Sequence, residues 1–251
     1  MEIYVLGSGT CVPSLKRGAP GVAVRLDGEL ILLDSGSGTL DRLVRVGIDY
    51  KELDHLCYTH THVDHTSDLI PLLFALRNTP GFTRTKKLGI WGSKEFIEFF
   101  GRLDAIYGKW IHADSYTIAP REVPPDGLRV SGGRIVAGAV RHQPGAIGYR
   151  IESHKGKVFT YSGDTDYCPG IVDLARKADI LLIECSTPDA YKAEGHLSPS
   201  SAGRIAREAD ARTLLLTHMY PVCDDWDLLS ECRKEFTGDV LLAEDLMTLR
   251  L

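Results

Sequence analysis

The segment Thr59-His60-Thr61-His62-Val63-Asp64-His65 gathers three imidazoles and a carboxylate into seven positions. Neutral imidazoles suit borderline divalent metals, and a carboxylate both binds such an ion and offsets its charge. Residues 53–58 alternate as a strand does, and residues 66–76 carry the apolar spacing of a helix. His60 and His62, two apart at a strand end, therefore share a face, while Asp64 and His65 fall where the chain turns into the helix. One junction can present four donors to two neighbouring points in space. A lone histidine is more often a satisfied core or surface residue than a ligand, but four ligand-type side chains between positions 60 and 65 point to a metal.

Further donors close other apolar runs. Leu32-Leu33 is followed by Asp34 and glycines, residues 136–140 lead into Arg141-His142, residues 158–161 into Gly163-Asp164-Thr165, and residues 213–217 into His218. The run 213–218 repeats the pattern of 56–60: apolar residues, a threonine, then histidine. Glu184 ends another buried-looking strand, and Gly195-His196-Leu197-Ser198-Pro199 opens a helix that Ser198 can cap. Each has an ordinary alternative: a helix cap for Asp34, a turn for Asp164, a loop residue for His142 or His196, a strand-end charge for Glu184. What joins them is position, since donors at strand ends converge where loops gather on one edge of a sheet.

His-x-His-x-Asp-His resembles the signature of the metallo-β-lactamase superfamily, and the other motifs resemble those of its ribonuclease Z and related phosphodiesterase branch. The resemblance covers nearly the whole chain and implies an α/β architecture, a four-layered αββα sandwich with two divalent metal ions on one edge. The usual metal is zinc, with manganese or iron as alternatives. By resemblance, His60, His62 and His142 hold one ion, Asp64, His65 and His218 the second, and Asp164 bridges them. Asp34 would orient the ligand loop, and His196, supported by Glu184, would stand near the scissile group. His55, His112 and His154 have no motif around them.

Two such ions would lower the pKa of a shared water from about 16 towards about 7 and so supply hydroxide at neutral pH. Asp64 would orient or deprotonate that water, and His196 would stabilise charge or protonate the leaving oxygen. The expectation is a dinuclear zinc hydrolase acting on a small or cyclic phosphodiester or a short RNA. Ribonuclease Z proteins that mature transfer RNA usually carry an arm between the third-motif histidine and the bridging aspartate. Here 21 residues separate His142 from Asp164, and a hairpin uses them, which weakens a tRNA 3′-end endonuclease reading. Hydrolysis of a carboxylic ester, thioester, lactone or sulfate ester uses the same site, and a non-catalytic metal-binding protein is the alternative from another class. Iron-holding redox relatives usually place glutamate where His62 stands.

Composition sets the outer bounds. A chain of 251 residues with 43% hydrophobic content can bury one full core, so residues 1–251 are expected to form a single domain. With 29 basic and 34 acidic residues the net charge is −5, which argues against a surface built to grip a long nucleic-acid backbone. The start has no signal-peptide pattern and no apolar stretch approaches membrane-spanning length, so a cytoplasmic protein is expected. Six scattered cysteines, none in a Cys-x-x-Cys pair, read as reduced thiols, with Cys168 and Cys223 close enough in sequence to proposed ligands to approach the pocket. Gly7-Ser8-Gly9 lacks the third glycine of a dinucleotide loop. The basic run Arg77, Arg84, Lys86, Lys87 is the foremost candidate for a substrate-phosphate or partner contact, a solvated loop being the more common outcome for such a run. Phe96, Phe99, Phe100, Leu103 and Ile106 form an apolar helix stripe that reads as core, or as a dimer contact if exposed. A homodimer is implied by the resemblance alone.

Overall fold

The computed structural model describes residues 1–251. The first half runs β1 (Glu2–Gly7), β2 (Gly21–Leu26), β3 (Glu29–Leu33), α1 (Thr39–Arg45), β4 (His55–Cys57), α2 (Val63–Thr66), α3 (Leu69–Asn78), β5 (Gly89–Trp91) and α4 (Lys94–Ile111). It continues with β6 (Leu128–Val130), β7 (Gly133–Ala139), β8 (Ile147–Ser153), β9 (Val158–Tyr161), α5 (Pro169–Leu174), β10 (Ile180–Glu184), α6 (Pro199–Glu208), β11 (Thr213–Thr217), α7 (Leu228–Cys232), β12 (Asp239–Leu242) and β13 (Met247–Arg250). One sheet has the order β13-β1-β2-β3-β4-β5 and the other β12-β11-β10-β9-β8-β7-β6.

Strand periodicity explains the layering. Along β3, Leu30 and Leu32 join a cluster with α1, α3 and α4, whereas Ile31 and Leu33 face the other sheet. Along β10, Leu181 and Ile183 pack against α5 and α6, while Ile180 and Leu182 join the inter-sheet core with Tyr149, Phe159 and Val24. Strands buried on both faces lose the polar alternation of a half-exposed strand, which is why 180–184 and 213–217 read as unbroken apolar runs. Three apolar clusters separate four layers, helices outside and sheets inside, in the αββα arrangement. No helix is long and apolar enough to cross a membrane.

The topology also sets the site. β3 and β4 are parallel, as are β9, β10 and β11, and β7 shares the direction of β9 through two antiparallel pairings with β8. Their carboxyl ends therefore open on one edge, where Asp34, Thr59-His60, His142, Asp164, Glu184 and His218 follow.

Several expectations need correcting. The helix expected over 66–76 is two helices, α2 and α3, parted at Ser67-Asp68, where the Asp68 carboxylate accepts from Leu40 N at 2.9 Å. The strand expected over 53–58 shortens to His55–Cys57 because a 3₁₀ turn, Tyr50–Glu52, runs up to Leu53. Residues 224–236 read in sequence as a last helix and 240–251 as a closing strand pair or extended tail; the helix covers only Leu228–Cys232, and the final two strands do not pair, β12 extending one sheet beside β11 and β13 the other beside β1.

Within the basic run, Arg84 departs from a solvated loop. Arg84 is 2% exposed and donates to the carbonyls of Lys51, Leu53 and Lys87 at 3.0, 2.6 and 2.8 Å, and Lys86 pairs with Asp54. These groups lie at the amino end of β4, opposite the edge that carries the donors, so Arg84 and Lys86 clamp that end of the strand. The apolar stripe of α4 divides: Phe96 and Phe100 are buried, while Ile106, with Tyr107 and Trp110 nearby, is exposed.

Candidate metal centre

Two backbone devices turn side chains into the centre. Asp34 and His218 adopt left-handed φ of 56° and 58°, strained positions that aspartate and histidine tolerate better than branched residues. Gly163 has φ 58°, and a Cβ there would lie 2.6 Å from Thr59 Cβ, so only glycine lets Asp164 approach the His60 loop.

Asp164 divides its two oxygens. Oδ2 lies 3.6 Å from His60 Nε2 and 3.7 Å from His142 Nε2, and His142 Nε2 lies 3.1 Å from His62 Nδ1. Oδ1 lies 3.1 Å from His65 Nε2 and 3.3 Å from His218 Nε2, which is itself 3.3 Å from Asp64 Oδ2. Donors held 2.0–2.1 Å from a tetrahedral ion stand about 3.3 Å apart, so the spacing in both groups suits a zinc-sized cation. His60 Nε2 is buried without a hydrogen-bond partner. Such an orphaned atom costs about 1–3 kcal/mol, which a bound cation would remove.

The remaining imidazole nitrogens fix which atom faces inward. Asp34 Oδ2 accepts from His65 Nδ1 at 2.7 Å and from Thr59 Oγ1 at 2.8 Å, leaving the threonine oxygen to accept from His60 Nδ1 at 3.0 Å. His142 Nδ1 donates to Gly195 O at 2.8 Å, and His218 Nδ1 to Ser186 Oγ at 3.2 Å. These four histidines therefore present Nε2, while His62 presents Nδ1.

Glu184 organises the neighbouring loop. Fully buried, it accepts from Thr165 N and Ser186 Oγ, each at 2.6 Å, and from Leu197 N and His196 Nδ1, each at 3.1 Å. His196 can be grouped with Asp164 and His218 as a donor set, but its Nδ1 is turned to Glu184 and stands 4.0 Å from Asp164. That orientation leaves Nε2 for a substrate.

The electrostatics follow from burial and proximity. Burial, then the charge of His65, pushes His60 down to about 2, so it stays a neutral donor. Burial opposes a charge on His65, yet Asp164 and Asp34 outweigh it and raise its pKa well above the usual value. Burial raises the Asp164 carboxyl but His218 and His65 hold it well below the ordinary range. Cation binding must displace the His65 proton.

The structure brings together His60, His62, Asp64, His65, His142, Asp164 and His218, with His196 and Glu184 beside them, and adds others that reading missed. Ser186 joins Glu184, His196 and His218. Asp166 accepts from Gly195 N and Lys192 Nζ, each at 3.1 Å, and so pins the loop before His196. Tyr220 lies edge-on to His218 with ring centroids 6.2 Å apart. A serine or tyrosine just beyond a side chain that ends a strand was the available signal. Of the cysteines, Cys223 packs behind the centre, its thiol donating to Ser186 O at 3.3 Å and pushed by burial up to about 11, while Cys168 packs against the α5–α6 core. All six thiols are free.

Ser186→Ala removes the acceptor that fixes the His218 tautomer. Affinity for the cation at the Asp64–His65–His218 group is expected to fall about 10- to 100-fold, read by chelator competition, with the other group unaffected.

A β-lactamase superfamily domain matches residues 30–219. A ribonuclease Z of Salinispora arenicola is 30% identical over 98% of this chain and 95% of its own. An uncharacterized Mycobacterium leprae protein is 34% identical over 96% of this chain and 85% of its own. The crystal structure of the metallo-β-lactamase fold protein YhfI from Bacillus subtilis superposes with a TM-score of 0.84 at 26% identity, covering 99% of this chain and 98% of that one.

Proposed function

Because the chain belongs to the β-lactamase superfamily and is a metal-dependent hydrolase of that fold, we propose that it hydrolyses phosphodiesters, taking small or cyclic diesters or short RNAs. The observation that carries this reading is the single carboxylate, Asp164, facing two donor groups with the His196–Glu184 pair beside them. His60, His62 and His142 would hold one divalent ion and Asp64, His65 and His218 the other, zinc being the metal the spacing suits. Ions so held would supply Lewis acidity and an activated water.

The chain's own groups supply the rest. Asp64, 11% exposed at its side chain, is the one carboxylate of the centre open enough to orient a water. His196 Nε2 would donate to the leaving oxygen, with Nδ1 committed to Glu184. Tyr220, half-exposed beside His218, offers a phenol that burial and the nearby Asp64 charge keep protonated. It can donate to a phosphoryl oxygen.

Similarity to ribonuclease Z supports phosphodiesters, and local architecture supports small ones. Between His142 and Asp164 the chain spends its length on β8, β9 and their turn. Protein whose metals have been counted is tested on bis-p-nitrophenyl phosphate, p-nitrophenyl acetate and p-nitrophenyl sulfate. Two ions per chain with phosphodiester turnover are expected. Turnover of only the carboxylic or sulfate ester would overturn the substrate class, and none on any of the three would favour a non-catalytic metal protein.

A further inference from the structure

Two large aromatic side chains stand exposed together on the two loops that bear His196 and His218: Tyr191 is 57% and Trp226 39% exposed, their rings edge to face with centroids 5.7 Å apart. Resting on the phosphodiesterase reading, we propose that this pair is the platform on which a nucleobase of the substrate stacks while its phosphodiester lies between the two donor groups.

Tyr191 ends the 3₁₀ turn Asp189–Tyr191, in the loop from Glu184 to His196, and Trp226 follows the 3₁₀ turn Pro221–Asp225 that leaves His218. Each of the two loops bearing those histidines thus contributes one ring. A chain of contacts ties the two loops to each other and to His218: Ser186 Oγ is 3.2 Å from His218 Nδ1, Cys223 Sγ 3.3 Å from Ser186 O, and Trp226 N 3.2 Å from Cys223 O.

The loop is also held in place before any ligand arrives. Asp189 accepts from Ser200 N at 3.0 Å, its own N–H donates to Glu231 at 3.0 Å, and Lys192 and Gly195 bind Asp166. A fixed platform loses little entropy on binding. An edge-to-face pair leaves ring faces open, and a base covering one removes apolar surface from water while stacking without sequence preference. The ligand class is therefore a nucleotide diester with an accessible base.

Two esters with one leaving group separate base from chemistry: thymidine 5′-(p-nitrophenyl phosphate) and methyl p-nitrophenyl phosphate. For metal-loaded Trp226→Ala, KM for the thymidine ester is expected to rise about tenfold with kcat held, and methyl-ester kinetics to stay unchanged, the size of one lost stack. Trp226→Phe should restore most of the loss. Equal changes for both esters, or none for either, would overturn the platform. If wild-type protein hydrolyses neither ester, the phosphodiesterase reading fails, and calorimetry with adenosine 5′-monophosphate decides the platform separately: about tenfold weaker binding to Trp226→Ala supports it, unchanged binding overturns it.

Discussion

Asp164→Ala protein is expected to lose its second bound ion and to hydrolyse bis-p-nitrophenyl phosphate on the order of 10³-fold more slowly. The size follows from a Lewis-acid contribution of several kcal/mol, each 1.4 kcal/mol or so being tenfold in rate. No other side chain can replace this one, because its two oxygens lie within 3.1–3.7 Å of donors in both groups. Loss of the carboxylate also leaves His65 with Asp34 as its remaining hydrogen-bonded anion, at 2.7 Å. Part of the proton's hold on His65 therefore disappears with the ligand, so the residual site should load at lower pH than the wild type. Metal counting and circular dichroism on the same sample decide the case. Two ions per chain with less than tenfold loss of turnover, on the order of one interaction rather than a shared ligand, would overturn the bridging role.

Much of this centre was readable beforehand because strand ends are punctuated in sequence. Asp34, His60, Asp164 and His218 each follow an apolar run whose length matches a buried strand, and parallel neighbours bring such ends to one edge. What stayed hidden was local chain direction and pairing over distance. Arg84 in a basic run looks like any solvated loop charge until the carbonyls of Lys51 and Leu53 are seen around it, more than thirty positions away. Likewise β12 and β13 look like a hairpin, but each has a better partner across the molecule than its neighbour in sequence. Ser186 is a small polar residue after a strand, and only its triple contact with Glu184, His196 and His218 gives it meaning.

His196→Ala should retain two metals per chain yet lower kcat on a cyclic nucleotide by about 10²–10⁴-fold, the range for removing a positioned acid. Burial opposes a charge on this imidazole, but the hydrogen bond and charge of Glu184 prevail and raise its pKa above 6.5. A raised value means that the donor form dominates below it, so wild-type activity should fall as pH rises through it, and this alkaline limb should vanish in the alanine variant. Glu184→Gln keeps an acceptor for Nδ1 but loses the charge. Burial is then less opposed, and the limb should move to lower pH. The leaving group gives the sharper test. An alkoxide needs a proton as the bond breaks, whereas p-nitrophenolate leaves without one, so His196→Ala should cost far more on the cyclic nucleotide than on bis-p-nitrophenyl phosphate. Equal losses on both would assign His196 to stabilising phosphoryl charge instead, with Tyr220 the remaining proton donor at the rim.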